Sequence, residues 1–134
     1  MNTQLTTLKS LSAVYAQLES LAELDQDWDS YGASPPTPVA LSRASRLMLD
    51  VATRALETVD SDEAMSKPWF IAPLAGGGTQ IEWRNGTCTV EVEFGPEGRL
   101  QYLVEDGDGL IEVSNGVTGA DWTNVVKAVC QVLS

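Results

Sequence analysis

The chain has 134 residues, 43% of them hydrophobic, with 8 basic side chains against 19 acidic ones and no histidine. That length and apolar content fill one core without disulfides or metals. The formal net charge of -11 disfavours a nucleic-acid backbone or an anionic membrane as direct partner and favours a basic protein surface. The lack of histidine removes the commonest general base, metal ligand and activator of a Ser or Cys nucleophile, which excludes most hydrolase mechanisms.

Met1 to Leu11 carries no charged leader, and no stretch approaches the roughly 18 apolar residues of a membrane span. From Leu5 to Leu24, residues Leu8, Leu11, Tyr15, Leu18 and Ala22 recur at spacings of three and four, with Val14 and Leu21 widening the stripe. This predicts an amphipathic helix. Its heptad-like spacing suits packing within the chain, and it is also the surface through which two copies could pair. Glu19, Glu23, Asp25, Asp27 and Asp29 follow with no basic residue among them, and their repulsion is expected to fray the helix before Trp28. Asp25-x-Asp27-x-Asp29 has the alternation that opens a calcium loop. However, Ser30 stands where that loop needs glycine and Pro36 where it needs a bidentate glutamate, so no metal is expected.

Trp28-Asp29-Ser30-Tyr31-Gly32-Ala33-Ser34-Pro35-Pro36 lies between the two long helical patterns and reads as a rigid structural hinge. The rings of Trp28 and Tyr31 are expected to bury, Gly32 to take φ > 0, and Pro35 and Pro36 each to fix their own φ. Thr37 then serves as an N-cap and Pro38 as the first residue of a second helix. Leu41, Ala44, Met48, Val51 and Ala55 form its stripe, flanked by Leu47. Arg43, Arg46 and Arg54 lie toward the other side, with Asp50 four residues after Arg46. These arginines suit a local anion site or, more simply, neutralisation of the acidic run before the hinge. Glu57 to Lys67 is polar and acidic and reads as a connecting loop ahead of Pro68.

The period then changes from helical to alternating. Trp69 to Ala72 is a short apolar run closed by Pro73, and Gly76-Gly77-Gly78 precedes Ile81 and Trp83, which alternate with Gln80, Glu82 and Arg84. The triple glycine lacks the Lys-Ser or Lys-Thr and the following helix of a phosphate loop, and is read as a connection between strands. Asn85-Gly86 predicts a type I′ hairpin turn. Cys88, Val90, Val92 and Phe94 then alternate with polar residues, Gly95 to Gly98 turns the chain, and Leu100, Tyr102 and Val104 form the next strand. Asp106 to Gly109 makes a third turn before Leu110 to Val113. One face of this meander is expected to be core and the other acidic and wet. Cys88 and Cys130 each fall in an apolar pattern and suit reduced, buried thiols of a cytoplasmic protein. Thr118 to Asp121 resembles a capping box, followed by Trp122, Val125, Val126, Val129 and Leu133 at helical spacing. Because valine is an indifferent helix former, residues 122–133 read as a closing helix or, alternatively, an edge strand.

The pairs Glu91/Glu93 and Asp106/Asp108 are the carboxylates that could serve as acid and base. They fall on an exposed strand face and a turn, where nothing would raise a pKa, so no enzyme activity and no cofactor is expected.

The string Trp28-Asp29-Ser30-Tyr31-Gly32-Ala33, followed by Pro35 and Pro36, resembles the W-D-G-Y-G-A-x-P signature of small, uncharacterised bacterial proteins. The resemblance extends through Pro68 to Pro73, Gly76 to Gly78, Ile81-Glu82-Trp83, Val90 to Phe94 and Leu100 to Tyr102. This sequence departs from the signature at Ser30, where glycine is frequent, and at Asp27, where asparagine is usual. The resemblance implies a bacterial origin and a helix-plus-meander architecture, and transfers no catalytic residue.

The sequence therefore predicts a single α+β domain over residues 1–134: two N-terminal helices packed on a four- to five-stranded antiparallel meander, with a C-terminal helix. Function is expected to be the binding of a basic protein surface, as in an accessory, immunity or antitoxin-like protein. The candidate acidic face is Glu82, Glu91, Glu93, Glu105, Asp106 and Asp108, with Arg84 and Arg99 between them. The alternative is an acidic mimic that occupies the site of a DNA- or RNA-binding protein.

Overall fold

The structure, a computed structural model, describes residues 3–58, 69–114 and 121–133. In chain order these form α1 (Thr3–Ala22), α2 (Pro38–Thr58), β1 (Trp69–Pro73), β2 (Thr79–Asn85), β3 (Cys88–Phe94), β4 (Leu100–Asp106), β5 (Gly109–Ser114) and α3 (Asp121–Leu133). The fold is α+β, with one antiparallel sheet in the order β1-β2-β3-β4-β5. The stretch expected as a connecting loop begins inside α2 at Glu57, and its part from residue 59 to 67 lies outside the described residues, as do Thr118, Gly119 and Ala120 of the expected capping box. No described helix is long and apolar enough to cross a membrane.

Helix α2 starts where the cap chemistry predicts. Thr37 Oγ1 accepts the Ala40 amide at 3.1 Å, and Pro38 follows at the first helical position, where its missing N–H leaves no bond unmade. Helix α1 ends at Ala22, and the amides of Glu23 and Leu24 bond back only three residues, to Ser20 and Leu21, ahead of the acidic run. Among the side chains described, from residue 12 onward, its buried line is Val14 and Leu18 with Leu21 partly covered, while Tyr15 and Ala22, expected on the stripe, are exposed; Leu8 and Leu11 lie outside them. The C-terminal segment is a helix: Val125, Val126, Ala128, Val129 and Cys130 are buried at spacings of one, three and four, so packing on the sheet outweighs valine's modest propensity.

The three described helices share one core with one face of the sheet. Val14 and Leu18 of α1, Ala44, Leu47, Met48 and Val51 of α2, and Val125 and Val129 of α3 cluster with Ile81, Trp83, Val90, Val92, Phe94, Leu100, Tyr102 and Val104. The inward strand residues alternate as the pleat requires. The β2–β3 turn differs from the expectation in detail. Asn85 pairs with Cys88, so the two central residues are Gly86 and Thr87, and only Gly86 has φ > 0 (63°). That is the II′ pattern, with glycine first, not the I′ pattern. Asn85 serves the fold through its side chain, which donates to the Val132 carbonyl at 2.7 Å and ties the hairpin to the end of α3. A register shift between Val104 and Glu105 makes Ile111 an extra residue in β5 and sets Glu112 opposite Val104 on the core side. There Glu112 accepts the Tyr102 hydroxyl at 2.8 Å. Burial, and then this hydrogen bond, raise the Tyr102 pKa.

Candidate functional site

Two regions bring together the residues that the sequence singles out. The first is the hinge. Its carboxylates turn inward: Asp27 Oδ1 accepts the Gly32 amide at 2.6 Å, and Asp29 Oδ1 accepts the amides of Tyr31 at 2.8 Å and Ala33 at 3.1 Å. The Asp27 amide donates to the Ala33 carbonyl at 2.7 Å, and Gln26 Nε2 donates to the Gly32 carbonyl at 3.1 Å. Acid side chains close together in sequence thus act as local turn formers, the role that short polar side chains play wherever backbone donors lack helix or sheet partners. Closing the loop in this way places two non-glycine residues in the left-handed region, Asp27 at φ 68° and Ser30 at φ 65°, beside Gly32 at φ 86°.

Trp28 is half-buried, and its Nε1 donates to the Ser34 carbonyl at 2.8 Å. Tyr31 is 92% exposed, contrary to the expectation that both rings bury. The aspartate bonds that fix the loop leave residue 31 outward, while Ala33 is buried and Trp28 half-buried. Pro36 is buried, and Pro35 is partly so.

The hinge is stitched to the end of the sheet. The Ser34 amide donates to Ala75 O at 2.8 Å, the Thr37 amide to Gly77 O at 2.9 Å, and Thr37 Oγ1 to Pro96 O at 2.7 Å. This gives the triple glycine a purpose that strand connection alone does not. A Cβ at Gly78 would collide with the Phe94 carbonyl oxygen, and one at Gly77 would be strained by the backbone at φ 97° while touching Pro35 O and the Pro96 ring at 3.4 Å. The signal in the sequence was the glycine run itself; its meaning is close backbone approach.

The second region is the sheet face opposite the helices. The register sorts its side chains into three transverse rows: Ala72, Gln80, Glu93 and Gln101; Phe70, Glu82, Glu91, Leu103 and Val113; and Arg84, Thr89, Glu105 and Leu110. Glu82 and Glu91 stand directly opposite each other, an unfavourable pairing of like charges. Arg84 relieves it in part, its Nη2 donating to Glu82 Oε1 at 2.9 Å. Glu82 is only 8% exposed, whereas Glu91 and Glu93 are half-buried and Glu105 is exposed, so the face is drier than the alternation predicts. Burial first, and then the charges of Glu93, Glu82 and Glu105, push the Glu91 carboxyl above the usual glutamate range. Phe70 at 44% exposure and Val113 at 65% flank the carboxylates at the two ends of the central row.

Of the six candidate acidic residues, Glu82, Glu91, Glu93 and Glu105 meet on this face. Asp106 has the opposite parity, and its Oδ1 accepts the Asp108 amide at 2.7 Å, so these two shape the β4–β5 turn instead. Two of the α2 arginines, Arg43 and Arg46, have neighbours in the helical layer. Arg46 pairs with Asp50 at 3.3 Å, and Arg43 lies 4.7 Å from the centre of the Trp122 ring. The indole of Trp122 donates to the other Asp50 oxygen at 2.8 Å. Asp27 and Asp29 of the hinge accept backbone amides of their own loop. Cys130 is buried, which raises its thiol pKa, with the Arg54 charge acting in the opposite sense; Cys88 is half-buried. Among the described residues, no group of three or more His, Cys, Asp or Glu side chains could hold a metal ion.

No protein-family model, curated protein or solved structure matches this chain.

Proposed function

We propose that the protein is a non-enzymatic, cytoplasmic binding module that receives a basic protein surface on the open sheet face, in an accessory, immunity or antitoxin-like role. The observation that carries this reading is the central row, in which the opposed carboxylates of Glu82 and Glu91 lie between apolar side chains at both ends. A cation set between the carboxylates relieves their repulsion, and apolar groups over Phe70 and Val113 gain burial in the same contact. A nucleic-acid mimic would need an uninterrupted array of acids. Phe70, Leu103, Leu110 and Val113 interrupt it, which favours a protein partner.

The backbone at the hinge supports the resemblance to the W-D-G-Y-G-A-x-P proteins. The two positions where this chain departs from that signature, Asp27 and Ser30, have φ > 0, and the signature's asparagine and glycine enter that region most easily.

The test is capture from a bacterial lysate with wild type, with Glu91→Lys/Glu93→Lys on the sheet, and with Gln17→Lys/Glu19→Lys on the exposed side of α1 as control. The expected result is a protein that is retained by wild type and control, lost with the sheet reversal, and released by moderate salt. Retention by the sheet variant would move the interface elsewhere.

A further inference from the structure

We infer that the hinge is itself a binding element, with Tyr31 as an aromatic anchor for an arginine- or lysine-bearing segment of a protein partner. This site is separate from the sheet face and does not depend on it. Tyrosine usually buries most of its ring. Here the ring is 92% exposed, yet its backbone is held by hydrogen bonds on both sides of the loop. The Tyr31 amide and those of its two successors are held by Asp29 and Asp27, and the Asp27 and Ala33 backbones bond across the loop. The loop base is then tied to Ala75, Gly77 and Pro96.

Asp27 enters the left-handed region readily at φ 68°, but Ser30 at φ 65° does so against its type's preference, and such outliers concentrate where geometry serves function. The outcome is an aromatic side chain with two soft torsions on a hydrogen-bonded loop, which loses little entropy when a partner covers it.

The chemistry of the occupant follows from the surroundings. No basic residue occurs between Lys9 and Arg43, and Glu23 and Asp25 are exposed beside the loop. An aromatic face could stack on a nucleobase, but these carboxylates repel the attached phosphate. A guanidinium or ammonium group is attracted both by the ring face and by the acids.

The test uses a peptide of six arginines alternating with glycine, titrated into isotopically labelled full-length protein and followed by NMR. The Tyr31 ring signals should move more than those of Tyr15. Tyr31→Leu should weaken this binding about three- to fivefold, and Tyr31→Phe, which keeps the ring, should stay within about twofold of wild type. Both variants should keep the thermal midpoint, because residue 31 contributes only its amide to the loop. The Tyr31 response should persist in Glu91→Lys/Glu93→Lys, which separates this site from the sheet face. Equal affinity for the leucine variant, or shifts confined to the sheet, would overturn the proposal.

Discussion

The hinge and the open sheet face are both built around acidic side chains, with opposite consequences. In the hinge, Asp27 and Asp29 meet three backbone amides at 2.6–3.1 Å, and each negative charge is consumed by donors of its own loop. On the sheet, Glu82, Glu91, Glu93 and Glu105 meet one another, with Arg84 bonded to Glu82. The difference lies in the backbone. A loop offers unpaired N–H groups within reach of a short side chain, whereas the ladder of a sheet has already used them. A carboxylate is therefore structural in the first setting, and in the second it is a destabilising group that an external cation can neutralise.

The largest effect is expected where the hinge meets the sheet. Gly78→Ala would force a methyl group against the Phe94 carbonyl, and separating β2 from β3 or the hinge from the sheet end should cost about 3 kcal/mol or more, read as a fall in the urea midpoint. A smaller effect of opposite sign is expected within the loop. Ser30→Gly relieves a left-handed serine and should stabilise by about 1 kcal/mol, provided that Asp29 keeps its two amide bonds.

The smallest effect concerns pH. Because the Glu91 carboxyl is raised in the folded protein, the folded state binds more protons than the unfolded chain between the ordinary glutamate value and the raised one. Its contribution is then most favourable on the acid side and is lost as pH rises through that window. Glu91→Gln should flatten this part of a stability profile recorded from about pH 4 to 7.

How much of this was legible in the sequence follows the range of the interaction. The start of α2 was readable because Thr37 caps an amide three residues away, and the strands were readable from a two-residue period. The β2–β3 turn was misplaced because sliding the pairing by two residues leaves Trp83, Val90 and Val92 facing inward either way, so the pattern cannot choose between them. Tyr31 was expected inside because an aromatic near prolines packs by default; its orientation is decided by the Asp29 bonds, which composition does not reveal. The burial of Glu82 and the close approach at Gly78 depend on partners from other strands, Glu91 and Phe94, and no local rule specifies them.

The central claim is that one residue class has two roles set by backbone context. Its most direct test is the urea midpoint of Asp29→Ala and Glu91→Gln measured side by side at neutral pH and low salt. The account predicts opposite signs. Removing Asp29 leaves the Tyr31 and Ala33 amides without their charged acceptor and should destabilise by about 2 kcal/mol, while neutralising Glu91 should stabilise by about 0.5 kcal/mol. A loss of stability in both variants, or no change at Asp29, would contradict it.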